Sequence, residues 1–199
     1  MIEDCTALIL AGGDSRRMGF DKTALTLDGQ TLLQRAIERM QAVFPRVLVS
    51  VRQPRADVDV PQVFDAFPDA GPLAGLCAGL AEAKTGWVFA VAADMPFVSP
   101  ALVEQLAARR EGFEAVVPVV GGCPQPLAAF YAVAALPSLR ATLAGPGKHS
   151  LRAALERLLV CRVDEKSLLA ADPELASFVD LDTPADVAVA RNNQRKEIL

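Results

Sequence analysis

Residues 5–22 read CTALILAGGDSRRMGFDK, and this stretch decides the fold. Its first seven residues form an apolar run without polar alternation, the pattern of a strand covered on both faces. Gly12 and Gly13 follow at once, and then Arg16, Arg17 and Lys22. The glycines lack side chains, so backbone amides can approach an anion there, and the three cations are donors suited to phosphate oxygens. Neither G-x-G-x-x-G nor G-x-x-x-x-G-K-[ST] is present, so neither the usual dinucleotide loop nor a P-loop is supported. An ordinary strand-to-helix turn with solvated arginines is the alternative reading of the glycine pair.

Working outward, RVLVSV (residues 46–51) and WVFAVAA (residues 87–93) are apolar runs of the same kind. Between the first two runs, Leu32, Leu33, Ala36, Ile37, Met40 and Phe44 recur at helical spacing. Thr31 followed by Gln34 gives that helix a capping-box start. Residues 72–84 read as the next helix, with glycines that permit close packing on a sheet. Ser99 and Pro100 open a helix through about Arg110, Ser as N-cap and Pro at the first helical position.

Residues 114–120 and 126–133 read as two strands, the first weakened as a central strand by Pro118. Phe130 and Tyr131 are core candidates within the second. Helices over 134–143 and 150–159, a strand over 160–163, and a last helix capped from Thr183 to Asp186 complete the chain. Strands alternating with helices predict a three-layer α/β/α fold with a mostly parallel, mixed sheet, residues 1–199 forming a single domain.

Composition narrows the partners. Of 199 residues 52% are hydrophobic and 22% charged, which is globular, and the net charge of −4 leaves no extended basic surface for long nucleic acid. A basic loop on an acidic protein suggests a small anionic ligand instead. Cys5, Cys77, Cys123 and Cys161 are scattered without a C-x-x-C pair, as reduced thiols of a cytosolic protein are. The acidic MIEDC start is no signal peptide, and no apolar run approaches the roughly 20 residues of a membrane span. A soluble, cytoplasmic protein is expected.

Ligands of such sheets bind beyond the carboxyl ends of the strands. That rule selects the loop after Ala11, the segment after Phe64 and the loop after Ala93, where Asp65 and Asp94 stand.

At this point the chain resembles a known family. LAGGDSRRMGFDK is similar to the loop of molybdenum cofactor guanylyltransferases, L-A-G-G-x-S-x-R-M-G-x-D-K. Leu10, Ala11, Gly12, Gly13, Ser15, Arg17, Met18, Gly19, Asp21 and Lys22 fit it. FDAFPDAGPLAG resembles the family's acidic residue and G-P-L-A-G segment, which implies that Asp65, Gly71, Pro72, Leu73 and Gly75 lie near the nucleotide. AVAADMPFVSP resembles the strand ending in D-x-P, which implies that Asp94 is the Mg2+ ligand. PQPLAAFY and DLDTPAD match the acceptor-side segments more loosely, through Gln125, Pro126, Asp180 and Asp182.

The resemblance implies a Rossmann-like nucleotidyltransferase fold and transfer of GMP from GTP to the phosphate of molybdopterin, with release of pyrophosphate. The N-terminal part would bind nucleotide and the C-terminal part the acceptor. The implied partners are GTP, molybdopterin and transient complexes with other cofactor-biosynthesis proteins. The residues suit this chemistry, because an ionised phosphate oxygen attacks the α-phosphorus in line and the protein supplies positioning and charge neutralisation. Arg17 and Lys22 would stabilise charge on the β- and γ-phosphates, and no side-chain nucleophile is needed. His149, the single histidine, reads as a surface-loop residue, and Lys148 and Arg152 beside it either face the acceptor phosphate or are solvated.

Two departures stand out. Ser50 occupies the place of an Asn after the second strand, and Asp180-Leu181-Asp182-Thr183-Pro184 replaces N-x-N-T-P. Asp180 and Asp182 are either added metal ligands or loop acids, and they would repel the pterin phosphate unless a metal or arginine intervenes. Three alternatives remain open. The related cytidylyltransferases read A-A-G where this chain has Ala11, Gly12 and Gly13. Sugar-1-phosphate nucleotidyltransferases carry a G-x-G-T-R-type loop that this chain lacks. A non-catalytic guanine-nucleotide or molybdopterin carrier would have little need of Asp94 and Lys22.

Overall fold

The first apolar run becomes strand β1 (Cys5–Leu10), and it lies mid-sheet because its side chains meet apolar layers on both sides. The structure, a computed structural model, describes residues 1–12, 25–64 and 71–197. A small hairpin of β2 (Thr26–Leu27) and β3 (Gln30–Thr31) precedes α1 (Leu32–Val43). Next come β4 (Val47–Val51), β5 (Gln62–Phe64), α2 (Pro72–Glu82), β6 (Trp87–Ala92) and α3 (Pro100–Ala107). The hairpin of β7 (Ala115–Val120) and β8 (Cys123–Pro124) leads to β9 (Ala129–Ala132), and α4 (Leu136–Ala144) and α5 (Leu151–Leu155) follow. The chain then runs through β10 (Val160–Val163), α6 (Glu165–Leu168) and α7 (Pro184–Glu197).

The main sheet has the order β10-β7-β9-β6-β1-β4-β5, with β8 paired to β7. β9 runs antiparallel to both of its neighbours, while β1, β4, β5 and β6 are mutually parallel. The expected mixed, mostly parallel sheet is therefore observed, with one helical layer on each face. Cys5, Ala7 and Ile9 of β1 pack with Leu33, Ile37 and Met40 of α1 and Leu102 and Leu106 of α3. Leu8 points to the other face, among Leu73, Leu76 and Leu80 of α2 and Leu139 and Leu143 of α4. Phe44, Phe89 and Phe130 form the aromatic centre of the first layer, the last two with ring centroids 4.8 Å apart. All four cysteines are free.

Several local expectations need adjustment. α1 has its full capping box, with Thr31 and Gln34 bonded reciprocally. Ser99 occupies the N-cap position of α3, but its side chain makes no cap bond, and its backbone N–H donates instead to Ser177 Oγ at 2.9 Å. α3 stops before Arg110, whose guanidinium turns over the rings of Trp87 and Phe130 and bonds Asp4. α4 starts at Leu136 after a 3-10 turn (Val133–Ala135), since Pro137 has no N–H to return to the preceding turn. α5 is shorter than expected, and Glu114 holds residue 159 at the entrance to β10. Its carboxylate accepts the Leu159 N–H at 2.8 Å, and its N–H donates to the Leu159 carbonyl at 2.8 Å. Pro118 does sit in an interior strand, but β9 pairs only Ala115 and Val116 and leaves the chain free of it there.

Candidate active site

The strand order reverses between β1 and β6, whose neighbours lie on opposite sides, and this switch point is where ligands of open α/β sheets bind. The three parallel strands end level there. The Ala11 N–H donates to the Ser50 carbonyl at 2.9 Å, and the Ala93 N–H donates to the Leu10 carbonyl at 3.1 Å. Leu10, Ala11 and Gly12 thus stand at the mouth with Asp94 one residue beyond the β6 side. Gly13, Arg17, Lys22 and Asp65 lie outside the described residues.

The first turn of α2 closes one wall. Gly71 has φ 61° and ψ −149°, a conformation that only glycine adopts without strain. It turns the chain into Pro72 with no side chain capping the helix start. Gly75 lets α2 reach the strands: a Cβ there would come within 2.7 Å of Ser50 Oγ and 2.8 Å of Leu10 Cδ2. Gly75 is therefore held against Leu10 and Ser50, with Gly71, Pro72 and Leu73 in the turn that leads to it. Ser50 itself is buried, and its hydroxyl faces Gly75.

Asp94 is half-buried on a turn whose other residues sink into the core, with Met95 and Val98 nearly inaccessible. Its carbonyl accepts the Leu181 N–H at 2.9 Å. This bond brings the loop bearing Asp180 and Asp182 beside Asp94, an approach that their distance in sequence conceals. Thr183 and Asp186 then cap α7 reciprocally, each side-chain oxygen accepting the other's N–H.

β9 starts at the edge where β6 ends, because the two are antiparallel with Ala129 opposite Ala90. The segment before it, with Gln125 and Pro126, consequently lies on the same edge of the sheet as Asp94. Fully buried Tyr131 donates its hydroxyl to the Pro126 carbonyl at 2.7 Å, and burial pushes its ionisation above the usual phenol range. Ala128, also buried, has φ 76°, a strained conformation for a residue other than glycine. The Gln125 N–H bonds the Pro118 carbonyl at 2.8 Å. His149 is exposed and bonds the Gly145 carbonyl through Nε2, as a surface-loop residue does.

Arg52 belongs to none of the motifs of the sequence. It follows β4 directly, and its Nε donates to the Gly12 carbonyl at 3.1 Å, placing a cation beside the glycine loop. The strand-end rule that selected Ala11 and Ala93 applies equally to the first charged residue after β4. A groove of about 850 Å³ lies elsewhere, between α2 and the β4–β5 edge down to Arg46 and Lys84. No described helix is long and apolar enough to cross a membrane.

Among the described residues no cluster of three or more metal-ligating side chains occurs. Mg2+ bound with a nucleotide needs fewer, one or two carboxylates plus phosphate oxygens and water. Asp94, half-buried at the strand ends, supplies one such carboxylate.

An α/β sheet with Gly12 at its switch point and Asp94 at the neighbouring strand end has the plan of a ligand-binding α/β protein, and nucleotides are common ligands of that plan. Residues 7–162 match the MobA-like NTP transferase domain. A probable molybdenum cofactor guanylyltransferase of Methanosarcina mazei is 34% identical over 197 residues, covering 92% of this chain and 88% of the relative. The molybdenum cofactor guanylyltransferase of Cupriavidus metallidurans is 36% identical over 181 residues, covering 84% and 89%. The crystal structure of molybdopterin-guanine dinucleotide biosynthesis protein A from Archaeoglobus fulgidus superposes with a TM-score of 0.82 at 30% identity, covering 96% of this chain and 99% of that one. The chain belongs to the molybdenum cofactor guanylyltransferases of the MobA-like family and is a nucleotidyltransferase.

Proposed function

We propose that this chain transfers GMP from GTP to the phosphate of molybdopterin at the carboxyl ends of β1 and β6. One observation carries the assignment of the site: the Leu181 N–H to Asp94 carbonyl bond, which unites the β6 carboxylate with the C-terminal acidic loop. GTP lies along β1 and the first turn of α2, where Gly12 and Gly13 admit the phosphates. Arg17 and Lys22 hold the β- and γ-phosphates, joined by Arg52. Asp65 takes a ribose hydroxyl or an edge of the base. Molybdopterin enters from the β9 side, past Gln125 and Pro126, so that the two parts of one domain divide the substrates.

Asp94 would hold Mg2+ together with phosphate oxygens and water, and the ion when bound would neutralise phosphate charge. Mg2+ on Asp94 would stand between the acceptor phosphate and the acidic loop of Asp180 and Asp182. An acceptor phosphate oxygen attacks the α-phosphorus, the bond from that phosphorus to the bridging oxygen breaks, and pyrophosphate departs with the electron pair. The protein's part is alignment and charge neutralisation.

The test is pyrophosphate release on incubation with Mg2+, molybdopterin and either GTP or CTP. Release with GTP supports the reading. Release with CTP alone overturns the guanine assignment, and release with neither nucleotide overturns the enzymatic one.

A further inference from the structure

The C-terminal segment grips the Asp94 turn at both of its ends. At one end the Leu181 N–H bonds the Asp94 carbonyl; at the other, Ser177 Oγ accepts the Ser99 N–H, each at 2.9 Å. Ser177 is fully buried and is itself held from behind. Its N–H donates to Asp172 Oδ2 at 2.8 Å and the Ala176 N–H donates to Asp172 Oδ1 at 3.1 Å. Asp172 is 6% exposed. Between the two grips, Phe97 packs on a separate apolar cluster of Leu27, Leu32, Leu181, Val187 and Ala190.

A buried hydroxyl and a buried carboxylate are costly unless fully bonded, so this chain of groups is present for its geometry. A helix start could be capped locally, and Ser99 has the side chain to bond the first turn of α3. It does not use it. The N–H of Ser99 itself takes its acceptor from the segment that also carries Asp180 and Asp182. One short stretch of chain therefore sets the height of the Asp94 turn and the position of the acidic loop facing it.

We propose that Ser177, backed by Asp172, is a positioning residue for the metal site: through the Ser99 N–H it fixes the turn on which Asp94 stands. This rests on the reading of Asp94 as a metal ligand. Without the Ser177 hydroxyl the Ser99 N–H has no acceptor, the turn loosens at its far end, and Asp94 loses register with the loop at 180–182. The metal site weakens while the nucleotide wall formed by β1 and α2, which Ser177 does not touch, is unchanged.

The experiment compares the parent with Ser177→Ala, Ser177→Thr and Asp94→Ala. Mn2+ binding in the presence of GTP and absence of molybdopterin is followed by the electron paramagnetic resonance signal of free Mn2+. Amide exchange of residues 94–99 and steady-state kinetics are measured alongside. In Ser177→Ala the Mn2+ dissociation constant rises about three- to tenfold, the range that one lost hydrogen bond corresponds to. Exchange at residues 94–99 quickens, kcat falls in parallel, and KM for GTP at saturating Mn2+ stays within about twofold of the parent. Ser177→Thr, which keeps the hydroxyl, restores Mn2+ binding. Should Ser177→Ala not fold, Ser99→Pro removes the donor of the same bond, at a φ of −78° that suits proline, and carries the same expectation. Parental Mn2+ binding in Ser177→Ala, with that binding lost in Asp94→Ala, overturns the positioning role alone. Parental binding in Asp94→Ala overturns the metal reading and the positioning role with it.

Discussion

Gly79 of α2 crosses Leu8 of β1 so closely that a Cβ added there meets three Leu8 side-chain atoms, Cγ at 2.9 Å and both Cδ atoms. Leu8 is completely buried at the centre of the sheet and has no free direction in which to retreat. Gly79→Ala sets two effects against each other. Alanine gains about 1 kcal/mol in helix propensity over glycine. Overpacking a core costs about 1–3 kcal/mol, and contact with three atoms of one buried side chain puts this site toward the upper end. The expected net loss is about 1–2 kcal/mol, which for a chain of this length lowers Tm by about 2–8 °C. Leu8→Ala alone costs about 2–5 kcal/mol. In the double variant the clash is gone, so the two losses add to less than their sum by at least about 0.5 kcal/mol. Gly86→Ala, where nothing lies within 4 Å, is the neutral control. Urea and thermal unfolding of the parent and the four variants measure these terms. A Gly79→Ala protein as stable as the parent, or strict additivity with Leu8→Ala, would falsify the argument that glycine is required here for helix–strand approach.

Three further outcomes follow from single features. Gly71→Ala places a side chain at φ 61° and ψ −149° and costs about 1–3 kcal/mol in urea unfolding, while also raising KM for GTP because the α2 wall shifts. Tyr131→Phe strips the Pro126 carbonyl of its donor; stability falls by about 1 kcal/mol and KM for molybdopterin rises while KM for GTP does not. An unchanged acceptor KM would detach this loop from the acceptor. Burial raises the thiols of Cys5 from 9.0 to about 12 and of Cys77 from 9.0 to about 11. The unfolded chain ionises both from pH 9 while the fold keeps them neutral, so stability is full below pH 9 and declines as pH rises toward 11 and 12. Urea midpoints measured at pH 8 and pH 10 register the decline, and a Cys5→Ala, Cys77→Ala double variant flattens it.

The strands β1, β4 and β6 were legible because burial on both faces leaves an unbroken apolar run. The start of α1 was legible because a capping box is a local device whose two partners, Thr31 and Gln34, are three residues apart. Ser99 stands at the expected N-cap, but the acceptor of its N–H, Ser177, lies 78 residues away and no local pattern announces it. The direction of β9 was equally hidden, because an apolar run is the same read from either end. The hairpin of β2 and β3 and the strand β8 hold two residues per strand, too few for a period to show. In the site, the glycines and Asp94 followed from the strand-end rule. The meeting of Asp94 with residues 180–182 is a tertiary fact set by one backbone bond.

The cluster of Leu181, Val187 and Ala190 against Leu27, Leu32 and Phe97 stands apart from the two main cores. The two main cores draw no residue from beyond Phe178, so the sheet can close before this cluster does. Docking of residues 181–190 on the hairpin and on the turn bearing Asp94 is thereby separable from closure of the sheet.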